Sequence, residues 1–243
     1  MKLNEKETIW NGQGFTYDNH RWIENDRYSR TENGMDSTAR YTVAEADGKT
    51  IVTVTHTGKL CNTETQYTLW PQGIVDMECR FTPQTTELRR AGLVCMLNAD
   101  LTQVDYYAHG PWENYNDRKT GCPVGRYTTV VDSLCEDYMK PQSTGNREAL
   151  RELALTDRNG NGLLIKTEGN VSFSALRYTD ADLMQTAHQW ELKKRPCVVL
   201  HLDAAHRGVG NGSCGQNVGT IRPYCIPQQT LTYKLRISSY TKK

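Results

Sequence analysis

Tyr41-Thr42-Val43-Ala44-Glu45-Ala46-Asp47-Gly48-Lys49-Thr50-Ile51-Val52-Thr53-Val54-Thr55 is the stretch from which the fold is read. Val52 and Val54 alternate with Ile51, Thr53 and Thr55. That period of two places successive side chains on opposite faces of a half-buried strand. Tyr41-Thr42-Val43 reads as the partner strand. Asp47-Gly48 stands between them, a pair that accepts positive φ and closes a tight hairpin.

The same alternation recurs outward along the chain. It appears at 61–70 and 74–81, on either side of Pro71-Gln72-Gly73. Further strands are predicted at 92–97, 104–108, 150–155, 163–166, 172–176, 198–202 and 231–240. Thr and Tyr are frequent in these runs, as suits a pleated and partly exposed surface. One short helix is predicted, with Asp180 as its cap and Ala181-Asp182-Leu183-Met184-Gln185-Thr186 as its body. No repeat, low-complexity tract or linker interrupts the chain, so residues 1–243 are read as a single domain. Many short strands with turn signals between them indicate an antiparallel sandwich. Residues 1–33 fit this poorly: they are polar, carry two Trp and two Tyr, and show no period. They are read as an irregular lead-in, a loop from the middle of something larger, with the sandwich occupying 34–243.

Composition narrows the function. The chain has 243 residues, with 29 Lys plus Arg against 28 Asp plus Glu, for a net charge of +1. That balance excludes nucleic-acid or membrane-surface binding driven by bulk charge. No apolar run is long enough to span a membrane. Met1-Lys2-Leu3-Asn4-Glu5-Lys6 lacks the apolar region of a signal peptide. No two of the eight cysteines have C-x-x-C spacing, so zinc-ribbon and thioredoxin readings fail. Most are expected to be buried free thiols.

Three stretches carry chemistry-bearing residues. Asp157-Arg158-Asn159-Gly160-Asn161-Gly162 with Glu168 matches the EF-hand loop at its fixed positions. Its flanks read as strands, so a hairpin turn is the expected structure and no metal is assigned. Tyr106 to Arg118 packs aromatics, His109, Glu113, Asn114, Asp117 and Arg118 together. Such a mixture suits a sugar, and it equally suits a structural corner turned by Gly110-Pro111. Asp203 to Gly215 is rich in glycine, with His206 and Cys214 on either side of its spacer residues. A loop reaching toward a ligand is the natural reading, ahead of a Cys214–His206 nucleophile pair. The sequons at Asn170 and Asn211 are short enough to occur by chance.

Gly110-Pro111-Trp112-Glu113-Asn114-Tyr115-Asn116-Asp117-Arg118 resembles the G-P-x-E-N-Y-x-D-R signature of the C-terminal small-chain domain of family-two β-galactosidases. Other motifs follow in the family's order. Arg151-Glu152-Leu153 resembles its T/V-R-E-L strand, and Phe173-Ser174-Ala175-Leu176-Arg177-Tyr178 its F-x-x-S-R-Y strand. Leu183 to His188 resembles its L-x-x-A/T-x-H segment, and Asp203 to Gly215 its D-x-x-H-x-G-x-G-G-x-x-S-W-G loop. The resemblance implies an all-β, large antiparallel supersandwich similar to galactose mutarotase, with one or two short helices. It implies a domain that packs on a catalytic barrel and walls the pocket for terminal β-D-galactose, without carrying the catalytic carboxylates itself.

On this resemblance His206, Asn211, Ser213 and Cys214 are substrate-binding. Trp112, Glu113, Asn114, Tyr115, Asp117 and Arg118 are either sugar-binding or a structural corner. No cofactor is expected in this domain, and any Mg or Na belongs to the parent's barrel. The implied partners are that barrel, the other domains of the parent, a β-galactoside and, in the parent, further copies of an oligomer. Two departures stand out. Cys214 takes the place of the family's loop Trp, and the loop is one residue shorter. The chain also starts after the family's first strands, so those strands are expected to be missing. Two alternatives of other classes are a free-standing mutarotase-like enzyme using a His and a Glu as acid and base, with His109, His188, His201 and His206 available as the His, and a non-catalytic carbohydrate-binding module stacking sugars on Trp112, Tyr107 and Tyr115.

Overall fold

A computed structural model describes residues 2–3, 6–24, 26, 38–210 and 219–242. The strands are β1 (Lys2–Leu3), β2 (Lys6–Glu7), β3 (Thr16–Asp18), β4 (Thr38–Ala46), β5 (Lys49–Thr57), β6 (Cys61–Leu69), β7 (Val75–Pro83) and β8 (Arg90–Asn98). They continue with β9 (Gln103–His109), β10 (Val124–Val130), β11 (Glu152–Thr156), β12 (Asn161–Gly169), β13 (Ser172–Leu176), β14 (Cys197–His206) and β15 (Leu231–Thr241). One α-helix, α1 (Asp180–Gln185), precedes β14. The hairpin that opened the reading is present: β4 and β5 pair from Thr38↔Thr57 to Ala46↔Lys49. Asp47 and Gly48 turn it with φ of 52° and 72°.

Two antiparallel sheets face each other. The larger has nine strands in the order β10-β9-β11-β12-β15-β7-β6-β5-β4, and the smaller has four, β13-β14-β8-β3. The core lies between them. Phe81 of β7 packs 6.2 Å from Tyr17 of β3 and 5.6 Å from Tyr233 of β15, measured between ring centroids. Tyr106 of β9 meets Phe173 of β13 edge-on at 5.3 Å. Leu93, Leu200 and Leu202 from the small sheet and Leu155, Leu163 and Ile165 from the large one complete this layer. The fold is therefore the all-β antiparallel sandwich with a short helix that the sequence predicts.

The local differences have physical causes. β10 was not predicted: as an edge strand it alternates between exposed and half-exposed positions, so no apolar face marks it. Within the stretch read as an irregular lead-in, Thr16–Asp18 pairs with β8 and Tyr17 is buried. Helix α1 is capped by Thr179 rather than Asp180. Thr179 accepts the Asp182 amide at 3.2 Å, and the Asp182 carboxylate accepts the Thr179 amide at 2.9 Å, a capping box. This leaves Asp180 in the first turn, facing inward. The EF-hand-like stretch is a β-turn between β11 and β12, in which Asp157 Oδ1 accepts the amides of Asn159 at 2.8 Å and Asn161 at 3.0 Å. The seven described cysteines are free thiols, five of them buried.

The outer face of the small sheet is polar, yet it too is buried. Cross-strand register lines up Ser172, Asp203, Gly92 and Asp18 on β13, β14, β8 and β3. The segment around Trp22, the loop around Ser143 and α1 close over this row. Trp22 donates its amide to Ser143 Oγ at 3.0 Å and to Asp180 Oδ1 at 2.8 Å. Gly92 is required here, because a Cβ would overlap the Asp203 carboxylate and come within 2.6 Å of Asp203 Cα.

Candidate functional site

Arg90, at the start of β8, is the centre of this second layer. Its Nη1 lies 3.3 Å from Asp18 Oδ2 and 3.0 Å from Asp180 Oδ2, and donates to the His20 carbonyl at 2.9 Å. Its Nε lies 3.1 Å from Asp203 Oδ2, close enough for an ion pair but not aligned as a hydrogen bond. One guanidinium thus serves three carboxylates, and the charges do not balance. Asp203 is 1% exposed, and both its oxygens lack a hydrogen-bond partner among the described residues. Burial pushes its carboxyl up to about 7, against the pull of Arg90. Burial raises Asp18 as well.

His206, at the end of β14, sits between two arginines. Its Nε2 lies 3.4 Å from Arg90 Nη2, and its Nδ1 lies 3.2 Å from Arg21 Nη1 and 3.1 Å from the Arg207 carbonyl. Burial and then the neighbouring cations hold it well below the usual histidine range, so the ring is neutral. The network assigns its proton to Nδ1, donated to Arg207 O, with Nε2 accepting from Arg90. Tyr115 packs against this ring at 5.2 Å. Burial also pushes Arg21 down to about 10.

Tyr115 joins the layer to the corner formed by residues 110–118. Glu113 is buried, and its carboxylate accepts Thr144 Oγ1 at 2.9 Å, the Gly145 amide at 2.8 Å, Tyr138 OH and Arg118 Nη2. Asn114 donates to the carbonyls of Trp112 at 2.9 Å and His109 at 3.2 Å, and accepts the Glu148 amide at 2.8 Å. Arg118 lies over the Tyr115 ring at 5.4 Å. The polar groups of Glu113, Asn114 and Tyr115 are thus engaged inside the fold. Trp112 is different: it is 68% exposed.

Asp117 ties the corner to the glycine-rich loop. Its carboxylate accepts the amides of Val209 at 3.0 Å and Gly210 at 2.7 Å. Gly208 packs so closely that a Cβ would lie 2.5 Å from Asp117 Cγ. Thr220 Oγ1 donates to the Gly208 carbonyl at 2.6 Å, and Gly210, at φ 55°, leaves only 2.9 Å between a would-be Cβ and the Thr220 amide. The two ends of the loop are therefore fastened together at a neck beside Asp117. Asn211, Ser213 and Cys214 lie outside the described residues.

The structure brings His206, Tyr115 and Glu113 together and places Asp117 and Arg118 beside them, with Trp112 on the surface. Sequence reasoning missed Asp18, Arg21, Arg90, Asp180 and Asp203. For Asp203 the signal is a charged residue inside a strand that otherwise reads as core, Leu200-His201-Leu202-Asp203; Arg21, outside any strand, and Asp180, in α1, carry no such signal. Of the four histidines available for an acid–base role, His201 and His206 both lie in the charged layer beside Arg90, and His109 and His188 lie elsewhere. His201 is buried and lowered well below its usual range, first by burial. His109 Nδ1 lies 2.5 Å from the Cys122 carbonyl, and His188 stacks on exposed Trp190 at 4.4 Å.

Fold and corner together define a β-sandwich domain built on two buried layers, one apolar and one charged. Residues 4–237 match the family described as beta galactosidase small chain, and the chain belongs to that family. It is 36% identical over 155 residues to a β-galactosidase of Vibrio cholerae, covering 63% of this chain and 14% of that enzyme. It is 31% identical over 204 residues to a β-galactosidase of Enterobacter cloacae, covering 79% of this chain and 19% of that enzyme. Over 152 residues it is 31% identical to the Priestia megaterium β-galactosidase, covering 62% of this chain and 15% of that enzyme. The chain thus spans less than a fifth of the length of each of these three relatives. Among solved structures, galactose 1-epimerase from Lactobacillus acidophilus superposes with a TM-score of 0.45 at 8% identity, over 84% of this chain and 67% of that one.

Proposed function

We propose that this chain completes the wall of the substrate pocket of a β-galactosidase acting on terminal β-D-galactose, with the catalytic carboxylates on a separate barrel domain, and that it hydrolyses nothing alone. The observation that carries the proposal is its membership of the small-chain family, at 14–19% of the length of three β-galactosidase relatives. The site's chemistry supports it. Retaining glycoside hydrolysis needs two carboxyl groups about 5–5.5 Å apart, one with a proton to give and one free to attack. The acids described above are committed elsewhere: Asp18, Asp180 and Asp203 face Arg90, Glu113 is held by five donors, Tyr115 OH among them, and Asp117 holds backbone amides.

In this reading the loop fastened at the Asp117 neck presents Asn211, Ser213 and Cys214 to the galactoside. His206 acts from behind as a fixed, neutral support, and the partner is the barrel together with the parent's remaining domains. A chimera tests this. The chain replaces the corresponding segment of a β-galactosidase, and hydrolysis of o-nitrophenyl β-galactoside is compared with that of the same enzyme lacking the segment. Restored hydrolysis is expected. A folded chimera as inactive as the deletion refutes the proposal.

A further inference from the structure

We propose that the outer face of the nine-stranded sheet carries a second binding site, a trough for an uncharged saccharide, which abuts the Gly110-Pro111 turn through Tyr106 and Tyr127 but uses other side chains than the corner's Glu113, Asn114 and Tyr115. The trough follows from register. Thr128, Asp105, Ala154, Leu164 and Ser238 form one row across β10, β9, β11, β12 and β15. Its centre is small and apolar. The row on one side carries Arg126, Tyr107 and Glu152, and the row on the other ends in Gly162 and Tyr240. Small residues between rows of large ones leave a furrow. Ala154 marks its floor: it points to the solvent side of the sheet, yet is only 4% exposed. The furrow encloses about 300 Å³, at the lower end of ligand clefts, about 300–1,000 Å³.

The walls decide the class of ligand. Tyr107 is pinned by Arg126 and Arg151, whose guanidinium carbons lie 4.7 and 4.9 Å from its ring centroid. Tyr240 faces Gly162 across the strands, so no side chain from that position crowds it. Each acid is already matched by a base: Arg126 Nη1 to Glu152 Oε2 at 2.7 Å, and Lys242 Nζ to Asp105 Oδ2 at 2.7 Å. An anion would meet the carboxylates of Glu152 and Asp105 on the wall, and a cation would meet Arg126 and Lys242 there, with Arg151 and Lys166 beside them. Matched pairs still offer fixed donors and acceptors side by side, which is what vicinal hydroxyls need. Ala154 and Leu164 below and Tyr240 beside them suit the C–H faces of a sugar ring.

The inference goes beyond the pocket-wall reading and uses galactosides only as the first probe. The test is a titration of the ¹⁵N-labelled chain with lactose and with a galactan oligosaccharide, followed by NMR. Saturable shifts confined to β9, β10, β11, β12 and β15 are expected. Ala154→Arg, which fills the floor, and Tyr240→Ala, which removes a wall, should each weaken binding about tenfold or more, while Trp112→Ala leaves it unchanged. If Ala154→Arg does not fold, Tyr240→Ala alone decides. Absence of saturable shifts with both sugars, or binding that Trp112→Ala removes and a folded trough variant retains, overturns the proposal. An inactive chimera would refute the pocket-wall reading and leave this titration untouched.

Discussion

Arg90→Met tests the charged layer most severely. Methionine keeps an unbranched apolar stem, so the loss is that of the guanidinium: its charge and its hydrogen bonds, including the one to the His20 carbonyl. Arg90 lies 3.3, 3.0 and 3.1 Å from carboxylates of Asp18, Asp180 and Asp203. Removing one partner of a buried ion pair costs about 3–5 kcal/mol, because the remaining charge is stranded. Asp203 sits at about 7 even with Arg90 in place, so burial already dominates there. Without the guanidinium the folded-state pKa values of Asp203 and Asp18 rise further. The native chain then holds protons that the unfolded chain has released, and stability is lost as pH rises. The expected cost is about 3–5 kcal/mol at about pH 8, shrinking by about 1.4 kcal/mol per pH unit for each carboxyl that regains its proton. Urea denaturation followed by fluorescence reads it, since Trp22 is buried and bonded to Asp180. Adding Asp203→Asn should recover part of the loss. A cost under about 1 kcal/mol at pH 8, or an equal cost at about pH 5.5, refutes the reasoning.

Asp117→Ala removes the acceptor of two loop amides, so exchange at Val209 and Gly210 should accelerate and stability fall by about 1.5–3 kcal/mol, as for hydrogen bonds to a charged group; unchanged exchange at both amides contradicts the neck. Gly92→Ala forces a methyl to within 2.6 Å of the Asp203 backbone, and a loss of about 3 kcal/mol or more is expected on thermal melting; a variant that melts like wild type contradicts the packing. Asp203→Asn should gain on wild type as pH rises. The raised acid makes wild-type stability fall between the unfolded pKa and about 7, and Asn does not titrate. A pH series of denaturation curves should show the difference growing by about 1.4 kcal/mol per pH unit in that window and levelling off above it; a difference that shrinks with pH is the opposing result.

The sandwich was legible because strands with one buried face write their alternation into the sequence. The strands β6, β7 and β15 follow that pattern, whereas the β4–β5 hairpin was legible from its β-branched residues and the Asp47-Gly48 turn, since β5 is half-exposed on both faces. β10 was not legible, since an edge strand has no fully buried face. The corner was visible as a cluster of residue types, but not what each one does. Asp117 holds amides 92 and 93 residues away in sequence, a pairing that only the fold creates. The charged layer was hidden for the same reason. Asp18, Arg90, Asp180 and Asp203 are scattered along the chain and meet only when β3, β8, β14 and α1 come together.

Hydrolysis of o-nitrophenyl β-galactoside by the purified chain, without any other polypeptide, tests the central claim most directly. The account predicts a rate indistinguishable from buffer at every substrate concentration, because the acids of the charged layer and the corner are bound to internal partners. Saturable turnover that co-purifies with the folded chain would contradict it.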